Sequence, residues 1–120
     1  MLRIFLAGEI SLTLGQNIVR ASQLPGRQGR LAFAYLVMAR DRTVSRDELS
    51  ERLWPDNQPP ASEVALSAIV SKVRTLLGSL GLGRNTVRAA SGGYELTLPA
   101  DTWIDIESAH DSVHLAEAAL

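Results

Sequence analysis

At 120 residues with 46% apolar content, the chain has the size of one globular domain with a single core. It holds no cysteine, which excludes disulfides and thiolate metal sites and fits a reducing, cytoplasmic setting. The net charge of −1 hides an asymmetry: residues 101–120 carry five acids and no Lys or Arg, so residues 1–100 hold 12 basic and 8 acidic residues, a mildly basic body that permits a nucleic-acid partner.

Arg3 and Glu9 bracket the first apolar run, and Leu31 to Ala39 is far too short to span a bilayer. Neither a signal peptide nor a membrane partner is expected. Leu2 to Ala7 and Ile10 to Leu14 read as strands, the second alternating Ile10, Leu12 and Leu14 against Ser11 and Thr13. A turn at Gly15-Gln16-Asn17 leads to a short strand at Ile18-Val19, which predicts a small antiparallel sheet with one face to cover.

Leu24-Pro25-Gly26 breaks the chain before a helix over about residues 28–40. Leu31, Ala34, Tyr35 and Met38 form one stripe, and Phe33, Leu36 and Val37 add apolar surface elsewhere, which predicts a central helix covered on more than one side. Arg40 in its last turn suits the negative end of the helix dipole. Ser45 and Glu48 have the spacing of a capping box, with Val44 and Leu49 as its staple, and the helix they start ends at Trp54-Pro55. The loop Trp54 to Pro60 has three prolines in seven residues and reads as a rigid connector.

Ala61 to Gly78 follows, with Leu66, Ile69, Val70, Val73 and Leu77 at the spacing of one buried helix face and Gly78 as its stop. The opposite face carries Val64, Ser67, Ala68, Ser71, Lys72 and Thr75, with Glu63 the one acid in the segment. A DNA major groove accepts such a face, and a plain solvated surface looks much the same. After the GSLGLG connector, Thr86 to Ala90 and Tyr94 to Leu98 form a hairpin around Ser91-Gly92-Gly93, whose glycines suit the positive φ of a tight turn.

From Asp105 to Leu120 a helical stripe is expected, through Ile106, Ala109, Val113, Ala116 and Leu120. His110 and His114 stand four apart, but Asp111 replaces the Glu a metalloprotease needs and no third ligand follows. No metal, no cofactor and no catalytic nucleophile are expected, so the chain is not read as an enzyme.

Three helices with a glycine-tipped hairpin after the third outline an α+β winged helix-turn-helix. The blocks RTVSRDELSERLW, PPASEVALSAIVSKVRTLLG and VRAASGGYELTL resemble the DNA-binding domain of the SARP/AfsR-type bacterial activators, which share the OmpR/PhoB-type winged helix and its small sheet before the first helix. The resemblance covers about residues 2–100. It implies a DNA-binding domain over 1–100, followed at 101–120 by a linker and the first helix of a truncated helical activation domain.

By the same resemblance, helix 61–77 is the recognition helix, presenting Val64, Ser67, Ala68, Ser71, Lys72, Arg74 and Thr75 to the major groove of double-stranded DNA. Ser67 and Ser71 would hydrogen-bond bases or phosphates, Val64 and Ala68 would meet thymine methyls, and Lys72 and Arg74 would neutralise phosphates. The wing, 86–98, would bring Arg88 and the Ser91-Gly92 tip to the minor groove. Trp54, Asp56, Asn57 and Gln58 are implied as a surface for RNA polymerase. Apart from Arg74, assigned to phosphate, the face offers no Arg, Asn or Gln for bidentate base contacts, so affinity is expected from homodimers or tandem copies on repeated half-sites. The alternative is a winged helix kept as a protein-interaction or dimerisation module.

Overall fold

The computed structural model describes residues 1–20, 22, 26–56 and 58–107. Two small sheets flank three helices: β1 (Leu2–Phe5), β2 (Ser11–Leu14), β3 (Asn17–Arg20), α1 (Gly26–Met38), β4 (Thr43–Ser45), α2 (Arg46–Leu53), α3 (Ser62–Ser79), β5 (Val87–Ala90), β6 (Gly93–Leu96) and β7 (Trp103–Ile104). This is the α+β winged-helix architecture that the sequence suggested.

The first sheet has the order β3-β2-β1-β7. Its antiparallel registers pair Ile4 with Leu12 and Leu12 with Val19. The expected sheet was purely antiparallel, and here the structure corrects it: β7 adds a parallel edge, pairing Ile4 with Ile104. One apolar row, Val19, Leu12, Ile4 and Ile104, thus crosses all four strands and faces the helices, fully buried. β7 is two residues long, too short to show an alternation that sequence reading could detect.

The second sheet, β4-β6-β5, holds the wing. Its third strand is β4, which the sequence marks only by the staple residue Val44 and the cap residue Ser45 of α2. In fact Val44 pairs with Tyr94 and Ser45 with Gly93, so the hairpin is anchored to the helical body. The two glycines at the hairpin also divide the work differently from expectation. Gly92 alone has a positive φ, +72°, while a Cβ on Gly93 would lie 2.0 Å from the Val44 carbonyl oxygen. Gly93 is needed for close approach, not for turn geometry.

The helices follow their predicted positions with two shifts. α1 buries Gly29, Ala32, Phe33, Leu36 and Val37, which form one face. Leu31 and Met38 stay exposed while Ala34 and Tyr35 of the same stripe are half-buried, Tyr35 against the core, so the helix is covered on one face and its flank and not all round. Arg40 lies beyond the helix end, yet its guanidinium donates to the Val37 carbonyl at 3.1 Å. In α3 the stop is not Gly78, which stays helical. Leu80 continues the buried stripe and Gly81, at φ +94°, turns the chain. Gly81 N–H donates to Gly78 and Leu82 N–H to Leu77, at 2.9 and 3.3 Å, the paired bonds of a Schellman cap.

Residues 105–107 open a helical turn. The rest of the expected tail helix, with His110 and His114, lies outside the described residues.

Candidate nucleic-acid interface

α2 and α3 form the helix-turn-helix, and the cap of α2 fixes its entry. Ser45 accepts from the Glu48 N–H at 3.0 Å, so half of the capping box forms. The reciprocal half does not. Glu48 turns its carboxylate to Arg42, at 2.6 and 3.1 Å, and accepts a hydrogen bond from the Tyr35 hydroxyl. The Arg42 guanidinium and the Tyr35 hydroxyl hold the Glu48 carboxyl at about 2. This network ties α1, α2 and the segment before β4.

α3 presents two sharply different faces. Leu66, Val70, Val73, Leu76 and Leu77 are buried, and Ile69 is half-buried against the same core. Val64, Ser67, Ala68, Ser71, Lys72 and Thr75 are all exposed, Val64 at 72%. A single helix surface, 12 residues long from Val64 to Thr75 and with no acidic side chain among these six, is therefore open to a partner. The Thr75 hydroxyl donates back to the Ser71 carbonyl at 3.1 Å, which leaves its oxygen free only to accept.

A groove separates α3 from the wing, lined by Ser71, Thr75, Gly78, Asn85, Arg88 and Ala89 among others. Asn85, which carried no signal in the sequence, sits within it. Arg88 stands on β5 opposite Glu95 and reaches its carboxylate at 3.2 Å. Arg88 is 61% exposed and Glu95 19%, so solvent screens the pair from the Arg88 side. The Ser91-Gly92 tip is exposed, and the Gly92 carbonyl accepts from the Arg46 N–H at 2.9 Å, which pins the tip to the start of α2. The Arg46 guanidinium lies over the Tyr94 ring at 5.6 Å.

Arg74, which the resemblance implied as a phosphate contact, lines the same groove. It is half-buried, and its Nε donates to the Val87 carbonyl of the wing at 2.9 Å. Trp54 caps α2 and packs half-buried against the core, while Asp56 and Gln58 are exposed; Asn57 lies outside the described residues. The hollow beside this loop is lined by Asp47, Glu48, Glu51 and Asp56, against the single cation Arg52. Its acidic lining repels phosphate and separates it from the α3 face.

Among the described residues no helix is long and apolar enough to cross a membrane. No family model matches the chain. The chain is similar to the transcriptional regulatory protein EmbR of Mycobacterium bovis and of Mycobacterium tuberculosis, 36% identical over 74 residues, which are 61% of this chain and 19% of each relative. A solved structure of Mycobacterium tuberculosis EmbR, in complex with a low affinity phosphopeptide, superposes with a TM-score of 0.70 at 31% identity, covering 82% of this chain and 25% of that one. The chain thus spans about a fifth to a quarter of the length of these relatives. Over that part the fold matches the N-terminal winged-helix domain of EmbR, and the likeness to a transcriptional regulatory protein supports the SARP-type resemblance.

Proposed function

We propose that the chain binds double-stranded DNA as the reading domain of a bacterial transcriptional regulator, with α3 in the major groove and the β5–β6 wing at the minor groove. One observation carries this reading. The six side chains Val64, Ser67, Ala68, Ser71, Lys72 and Thr75 are exposed together on the helix that borders the wing groove, while every large residue of the other face is packed away. Lys72 neutralises phosphate, Ser67 and Ser71 reach base edges or backbone oxygens, and Val64 and Ala68 lie against thymine methyls. Arg88 and the Ser91-Gly92 tip meet the neighbouring strand. In a regulator of the activator type, the loop that exposes Asp56 and Gln58 faces RNA polymerase, and residues 101–120 are the linker and first helix of an activation domain. With no bidentate base reader on α3, dimers or tandem copies on repeated half-sites supply the missing affinity.

The test is a salt titration of duplex binding. Affinity should fall steeply with salt, and Lys72→Ala should lower the slope of log K against log salt by about 0.9, one phosphate's share. Lys72→Glu should abolish binding with no change in melting temperature. A second reading, a protein-docking module, draws on the 72% exposure of apolar Val64. Absence of duplex binding at low salt would favour it over the first.

A further inference from the structure

Arg74 stands at a position that the family resemblance treats as a phosphate contact. In the free protein its Nε is already engaged. The side chain runs along the floor of the α3–wing groove, and its Nε bonds the Val87 carbonyl at 2.9 Å. Val87 opens β5 and immediately precedes Arg88, the cation of the wing. Few backbone contacts join α3 to β5 directly. The helix meets the 3-10 turn Arg84–Thr86 instead. Among the described residues, Arg74 makes the one hydrogen bond between α3 and the hairpin. Beyond Val87, the wing is held on its other side by β4 and by Arg46 at its tip.

We infer that Arg74 is a positioning residue: a strut that sets the separation of recognition helix and wing, and so the height of Arg88 over the groove. The planar guanidinium suits this task, because Nε donates in a fixed direction while the aliphatic stem packs on the helix. The inference rests on the DNA-binding reading for its purpose, but the strut itself exists in the free protein. Loss of Arg74 should therefore loosen the wing before any DNA is added.

Residue-resolved amide hydrogen exchange on the full chain, free of DNA, tests it. Arg74→Gln and Arg74→Lys should each speed exchange of the β5–β6 amides roughly tenfold, the scale of one lost charge-assisted hydrogen bond. Amides of β1, β2 and α1 should exchange as in the parent, as should the wing of Lys72→Ala. Unchanged wing exchange in both Arg74 variants overturns the strut, and so does a uniform acceleration of all amides, which reports global destabilisation. On duplex DNA, Arg74→Lys keeps the charge and loses the Nε donor. It should bind roughly tenfold more weakly with the parent's salt slope. Parental affinity in Arg74→Lys would show that charge alone matters, and would overturn the strut. If the parent binds no duplex, the DNA-binding reading fails, and the exchange result decides the strut without it.

Discussion

The carboxylate of Asp105 accepts the backbone N–H of Leu6 at 2.9 Å, across 99 positions of sequence. It also accepts from the Ala7 N–H at 3.2 Å and from its own neighbour Ile106 at 2.7 Å. Two residues on, Glu107 grips Arg40 through two hydrogen bonds of 2.8 and 3.1 Å. The segment after the wing is therefore clasped both to the end of β1 and to the end of α1.

Asp105→Asn should cost about 1–2 kcal/mol of unfolding free energy, the worth of a charge-assisted acceptor for backbone amides. Burial pulls the Asp105 carboxyl upward, but the Leu6, Ala7 and Ile106 amides together outweigh it and hold the group below its ordinary value. A carboxyl depressed in the folded state stabilises above its unfolded pKa and loses that contribution as pH falls through the folded one. Denaturant melts should thus show the gap between parent and Asp105→Asn closing as pH drops below about 4. A gap that widens as pH falls would contradict the assignment.

Glu48 should titrate with a midpoint of about 2, followed by its carboxyl carbon resonance. Removing the larger cause, by Arg42→Ala, should move the midpoint up further than Tyr35→Phe does. Here too the sign is that of a depressed acid, so the contribution is complete above the unfolded value and fades on the way down to the folded one. Equal midpoints in parent and Arg42→Ala would refute the network.

The two wing glycines should respond unequally to alanine. Gly92→Ala places a Cβ at φ +72° in open space and should cost about 1–2 kcal/mol. Gly93→Ala drives a Cβ into the Val44 carbonyl and the Ser45 Cα. The resulting overpacking should cost about 3 kcal/mol or more, by forcing β4 off β6. Urea midpoints in the reverse order would mean that turn strain, not strand approach, governs the hairpin.

Ser50 presents the opposite case. Its residue is buried within α2, and among the described residues its hydroxyl has no hydrogen-bond partner. Ser50→Ala removes the stranded hydroxyl and improves helix propensity, so stability should rise by about 0.5–1.5 kcal/mol. A lower melting temperature would show that the hydroxyl is satisfied in solution.

Local chemistry made much of this molecule legible in its sequence. Ser45 starts α2, Pro55 follows its end, and the α3 stripe through Leu66, Val70, Val73 and Leu77 separates the buried face from Ser67, Ser71 and Lys72. What escaped was settled by distant partners. Trp103-Ile104 becomes a strand only because β1 offers an edge. Glu48 abandons its own cap because Arg42 and Tyr35 stand within reach. Gly78 and Gly81 look alike as stops, and Leu80 decides between them by needing the core. At the interface, side-chain direction on α3 followed from periodicity, but the bond from Arg74 to Val87 depends on where the wing returns, 13 positions later.

The parallel pairing of β7 with β1 also has a consequence for biosynthesis. While the chain emerges from the ribosome, β2 follows β1 within a few residues and β3 can then pair with β2, yet the far edge of β1 stays bare until Trp103 and Ile104 appear. That last zipping closes a loop of about a hundred residues, with the slow entropic toll such closures carry. The nascent domain must therefore guard an unpaired strand edge through nearly all of its own translation.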